Sequence, residues 1–189
     1  MTSLSLSLLI VAALAVIAVA GLAVWYVARR NRRSNRLRTR FGSEYDRTVA
    51  DLGGRAKGES ALVALEARVE ALDLAATLST TDAARFAAAW QALQARFIDD
   101  PARVVVQAGE LVRDLMSKLG YPVAEFETNA ANVSVDHASV VSNYRAAQAV
   151  AVRAERGEAD TDALRTAVVH YRVLFNELLL GTSDGVHAV

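Results

Sequence analysis

From Leu4 to Ala28 the chain carries no charged side chain, and seven arginines follow between Arg29 and Arg40 with no acid among them. As a helix, this 25-residue run spans roughly 37 Å, against the ~30 Å of a bilayer's hydrocarbon core. Its inner end carries Trp25 and Tyr26, the residue types that sit at headgroup level. Arg29, Arg30, Arg32, Arg33, Arg36, Arg38 and Arg40 come immediately after. Together with Trp25 and Tyr26 they form the expected membrane-interface set. No Lys or Arg precedes the run, so retention of positive charge on the cytoplasmic side places the N-terminus outside and the rest of the chain inside. The run contains no ionisable group that would mark a proton or ion path. It also lacks small residues four apart between positions 8 and 28, so no close-packing dimer seam is expected.

A cleaved signal peptide is the alternative reading. Ala18-Val19-Ala20 fits a small-x-small cleavage site, as does Ala13-Leu14-Ala15. Against cleavage stand the neutral N-terminus, where a basic region is wanted, and the arginines just downstream, which resist translocation.

Beyond the collar the balance of charge inverts. From Phe41 onward 14 basic residues face 21 acidic ones, a net of −7. An acidic body is a poor polyanion binder, so nucleic acid is not expected as a partner. There is no cysteine, which excludes disulfides, thiolate metal sites and cysteine nucleophiles.

Helical periodicity recurs throughout the body, and no alternating strand pattern survives. Phe41, Tyr45, Val49 and Leu52 would continue the first helix until Gly53-Gly54 interrupts it. Leu62, Leu65, Val69 and Leu72 form a 3-4-3 seam, with Glu59, Glu66 and Glu70 expected to face elsewhere. Thr80-Thr81-Asp82 opens a helix carrying Phe86, Trp90, Leu93 and Phe97, an aromatic stripe expected in the core. Asp100 is expected to cap the next helix, with Pro101 at its first position, and Gly120-Tyr121-Pro122 to end it. A short helix around Phe126 follows. Ser134 or Asp136 is then the expected cap of a helix bearing Val140, Tyr144, Ala147 and Ala151. After Gly157, Asp160 or Thr161 caps the last helix, with Leu164, Val168, Tyr171, Phe175 and Leu178 on one face. The expected fold is therefore all-α: one N-terminal transmembrane helix, then a bundle of about five or six helices. Its divisions are a membrane anchor over 1–28, a basic juxtamembrane collar over 29–40, a helical domain over 41–180 and a frayed tail over 181–189.

The last two helices bring polar residues together by symmetry. Folded as a hairpin about Glu158, they place Tyr144-Arg145 level with Tyr171-Arg172, and His170 joins them. These five residues are the candidate ligand or anion cluster, with the alternative that the tyrosines pack inward while the arginines are solvated or paired with acids. No catalytic residue is assigned. There is no GxSxG, and the order of Gly53-Gly54-Arg55-Ala56-Lys57-Gly58 is not that of a phosphate loop. Asp136-His137 lacks a second histidine at the spacing of a metal site, so neither metal nor cofactor is expected.

Phe41-Gly42-Ser43-Glu44-Tyr45-Asp46, Arg96-Phe97-Ile98-Asp99-Asp100-Pro101, Gly120-Tyr121-Pro122, Ser134-Val135-Asp136-His137 and His170-Tyr171-Arg172 resemble a bacterial family of short proteins with an N-terminal hydrophobic segment. Its members are usually described only as hypothetical or secreted. The resemblance covers about Phe41 to Leu180 and implies no activity or site. The expected function is a membrane-anchored, non-catalytic interaction module whose partners are the lipid bilayer and another protein. The alternatives are an exported helical protein and a small-molecule or anion-binding bundle.

Overall fold

The computed structural model describes residues 2–72, 78–122 and 125–181, with side chains from 17 to 179 within those stretches. Eight helices and no strand occur among the described residues: α1 Thr2–Phe41, α2 Ser43–Asp51, α3 Arg55–Glu70, α4 Thr80–Arg96, α5 Pro101–Lys118, α6 Phe126–Asp136, α7 Ala138–Glu155 and α8 Thr161–Gly181. The chain divides into two compact units, Met1–Thr39 and Arg40–Val189.

In the first unit the backbone is helical through both the apolar run and the arginine collar. Of the run Leu4–Ala28, the side chains of residues 4–16 lie outside the described ones. From Ile17 on, the large apolar side chains are exposed on every face of the helix: Ile17, Val19, Leu22, Val24, Trp25, Tyr26 and Val27 each keep 53–70% of their surface open. Among the described residues, no helix is long and apolar enough to cross a membrane.

Among its described residues the second unit is a bundle of seven helices, α2 to α8, where about five or six were expected. The additional helix is α2. Its residues were expected to continue α1, but Gly42 takes φ +53°, a left-handed conformation open to glycine, and breaks the helix there. Other boundaries follow the sequence. Asp100 accepts the Arg103 amide at 3.2 Å with Pro101 at the start of α5. Gly120 turns left-handed beyond the end of α5. Asp160 Oδ1 accepts the Ala163 amide at 2.7 Å to begin α8. The expected cap at Ser134 or Asp136 is corrected: α6 runs through both, and α7 starts after His137 without a side-chain cap. Ser134 instead turns its hydroxyl back to the Ala131 carbonyl at 2.6 Å.

The apolar core centres on α5, α7 and α8, with α4 packed on α5. Val112, Leu115, Val141, Tyr144, Tyr171 and Leu174 are fully enclosed. The α4 stripe joins them, since Phe86, Trp90 and Leu93 are buried, and Trp90 stacks on Phe175 with ring centroids 4.7 Å apart. Aromatic pairs of this kind contribute about 0.5–1.5 kcal/mol beyond their burial. The helices α2 and α3 form a second hairpin, which rests on α6 and α7. Its close approach depends on Gly58, where a Cβ would lie 2.8 Å from both Cα and Cγ2 of Val49. Gly58→Ala should therefore destabilise the bundle by about 1–3 kcal/mol in chemical denaturation, since the clash includes backbone that cannot rotate away. An unchanged midpoint would show that α2 and α3 are not packed this closely.

Candidate functional site

The α7–α8 hairpin brings the two tyrosines together. Gly157 at φ +70° closes the turn, and the Tyr144 and Tyr171 rings meet edge-on with centroids 6.2 Å apart. Phe126 of α6 flanks Tyr144 at 4.8 Å. The Tyr171 hydroxyl donates to Gln148 Oε1 at 2.9 Å and fills a notch left by Gly109 on α5. Burial dominates the titration of these phenols, because a phenolate in the core would lose its water. Tyr144 is pushed up to about 12, with the charges of Arg113 and Arg145 pulling weakly the other way. Burial raises Tyr171 and Tyr121 further. All three are neutral hydroxyls at physiological pH and cannot serve as bases.

The two arginines part company. Arg172 is exposed on α8, and His170 is half-buried, its Nδ1 enclosed without a hydrogen-bond partner. Arg145 is largely covered and occupied by the chain's own carboxylates. Its Nε and Nη2 donate to Glu44 Oε1 and Oε2, each at 2.7 Å, and its Nη1 donates to Glu127 Oε2 at 2.6 Å. Arg47 reaches the same Glu127 oxygen at 3.4 Å. Burial works against the Arg145 charge, but the hydrogen bonds to Glu44 and Glu127 outweigh it and hold its pKa above the ordinary value. With all three guanidinium nitrogens on internal carboxylates, an outside anion would have to displace one of them.

Glu44 is the residue that sequence reasoning missed. It lies 101 positions from Arg145, so no local spacing pairs them. The available signal was its place between Phe41 and Tyr45 on one helical stripe, where a carboxylate demands a buried cation. The same holds in α3, and corrects the expectation for that seam: Glu59 and Glu66 are buried alongside Leu62 and Val69 rather than facing away. Glu59 Oε1 accepts from the Tyr45 hydroxyl and from Arg55 Nε, both at 2.9 Å. Glu66 pairs with Arg40 at 3.2 Å, and Arg40 also lies 3.7 Å from Glu70 and 3.6 Å from Asp136. Arg40, grouped by sequence with the membrane interface, thus has its guanidinium among three carboxylates of the bundle.

Elsewhere, a groove of about 550 Å³ between α4 and α5 is lined by Arg85, Phe86, Ala89, Leu111, Asp114, Ser117 and Lys118. Asp82 bridges its cationic side chains, 3.2 Å from both Arg85 and Lys118. Hydrogen bonds from Ser79 and Lys118 hold the Asp82 carboxyl below its ordinary range. Lys118 of α5 therefore makes a cross-helix contact to α4. The groove contains no pairing of a nucleophile with a base. Among the described residues no group of three His, Asp or Glu side chains is placed to hold a metal ion. Compared with known proteins, the chain matches no family, no curated protein and no solved structure.

Two outcomes follow. Glu44→Gln leaves Arg145 short of its main partner and should cost about 2–4 kcal/mol, with a coupling above about 1 kcal/mol in a double-mutant cycle with Arg145→Met. Additive effects would show that the pair is not formed. Tyr144 titrates near 10.0 when unfolded and near 12 in the fold, so its contribution is complete below pH 10 and lost as pH rises through 12. The melting temperature should fall across that alkaline window, and less steeply in Tyr144→Phe; equal slopes would contradict the burial of this hydroxyl.

Proposed function

We propose that this chain is a membrane-tethered, non-catalytic interaction module, with Leu4–Ala28 as the anchor and the seven-helix bundle at the cytoplasmic face. The observation that carries the reading is the exposure, on all faces of one helix, of Ile17, Val19, Leu22, Val24 and Val27, followed by exposed Trp25 and Tyr26 and then by arginine. Moving those five aliphatic side chains from water into hydrocarbon is worth on the order of 10 kcal/mol. The described side chains of the run begin at Ile17 and so cover only about 18 Å of helix, about half the thickness of the hydrocarbon core. The anchor therefore needs the part of the run before Ile17.

The bundle supports an interaction role by what it presents. The chain from Phe41 onward carries a net charge of −7, and Ile98, at the α4–α5 turn, is 91% exposed. Val169 and Val173 lie open on α8. The buried tyrosines and internally paired arginines offer packing and latching rather than acid–base chemistry.

In cells, the full chain should stay in the membrane pellet after alkaline carbonate extraction at its uncleaved mass of 20.3 kDa. Removing residues 1–28 should release it, and the bundle should then capture a specific protein partner from the cytoplasmic fraction. A soluble product shortened at Ala20 would establish the exported reading instead. Capture of no specific partner would remove the interaction role.

A further inference from the structure

The arginine collar is not uniform, and its division has a consequence for the lipid it contacts. Arg40 is held by Glu66, Glu70 and Asp136, and Arg36 and Arg38 already interact within the chain. Arg29, Arg30, Arg32 and Arg33 differ. All four are exposed, and their own unit, Met1–Thr39, contains no acid that could pair with them. No acid occurs in the first 40 residues. Arg29 stacks on the Trp25 ring, its guanidinium carbon 5.2 Å from the centroid, which ties the first arginine to the depth of the aromatic belt.

The four arginines occupy only about 6 Å along the helix axis and fan across roughly 160° of its circumference. A bilayer's headgroup layer is about 5–7 Å thick on each side. When Trp25 and Tyr26 sit at the edge of the hydrocarbon, Arg29 and Arg30 stand about 5–7 Å beyond it, in the headgroup layer, and Arg32 and Arg33 about 9–12 Å beyond it, at the layer's outer face, where long side chains leaning back along the helix reach the phosphates. Their planar forks match phosphate oxygens. Zwitterionic lipid offers phosphate together with a cancelling ammonium, whereas anionic lipid offers net charge as well.

Resting on the anchor reading, we propose that Arg29, Arg30, Arg32 and Arg33 form an anionic-lipid site that gathers acidic phospholipid around the helix at the inner leaflet. Arg40 serves the bundle, and these four serve the lipid.

Trp25 is a built-in reporter of this ring. The chain has two tryptophans, and Trp90→Phe in the full-length protein leaves Trp25 alone. The protein is reconstituted into vesicles of phosphatidylcholine and phosphatidylglycerol, and Trp25 quenching is compared with either lipid brominated at equal mole fraction. The brominated phosphatidylglycerol should quench more strongly, corresponding to a local enrichment of roughly threefold or more. Replacing all four arginines by glutamine should equalise the two lipids while Trp25 remains quenched by both, and replacing them by lysine should keep the preference. Equal quenching in the parent protein would overturn the lipid site and leave the anchor standing. Quenching by neither lipid would overturn both. Loss of the preference on adding excess inorganic phosphate would mark a free-anion site, and loss on adding a short RNA would mark a nucleic-acid surface; either result overturns the proposal.

Discussion

The ion pair between Arg145 and Glu44 sets the architecture of the bundle. It is bidentate and largely covered, with 16% and 7% of the two side chains exposed, and it joins residues 101 positions apart. A carboxylate and a guanidinium taken this far out of water cost several kcal/mol each unless they meet in good geometry. The pair therefore selects one placement of α2 against α7 more sharply than apolar contact alone would, because a slipped arrangement strands both charges. Glu59 and Glu66 repeat the arrangement within the same layer, held through Tyr45 and Arg55 in one case and Arg40 in the other.

The bundle thus has two kinds of cohesion. Between α5, α7 and α8 the contacts are apolar and aromatic, centred on Tyr144, Tyr171, Phe175 and Leu174. Between the α2–α3 hairpin and the helices beneath it, buried glutamates and their cations supply the specificity. The hairpin follows directly on the collar in sequence, so a module tethered through α1 would be latched at the point where its chain begins. Arg145 of the candidate cluster is committed to this latching, and Tyr144 and Tyr171 are held as neutral hydroxyls by burial.

The sequence revealed the features that depend on local spacing. The Asp100-Pro101 start of α5, the Gly120 stop and the stripe Val140-Tyr144-Ala147-Ala151 all require only neighbours three or four residues away. The level of Tyr144 and Tyr171 was legible because a hairpin maps sequence distance onto height. The fate of the two arginines was not, because it turns on whether a distant carboxylate arrives, and Glu44 reaches Arg145 but Arg172 stays exposed. Reading only apolar residues as a seam hid Glu59 and Glu66, whose 59-62-66-69 spacing is as helical as that of the leucines between them. The separate α2 escaped notice because a single glycine at position 42 carries little weight in a periodic pattern until its φ is known.

In the proposed tether, the N-terminal helix holds the bundle with its C-terminal side facing the cytoplasm. The absence of cysteine permits a direct test by single-cysteine labelling. Ile98→Cys, at the exposed α4–α5 turn, and Ser3→Cys, ahead of the apolar run, are each treated in intact spheroplasts with a membrane-impermeant maleimide. Labelling of Ser3→Cys in intact spheroplasts, with labelling of Ile98→Cys only after permeabilisation, is the predicted result. Labelling of Ile98→Cys in intact spheroplasts, or recovery of the chain free in the medium, would contradict it.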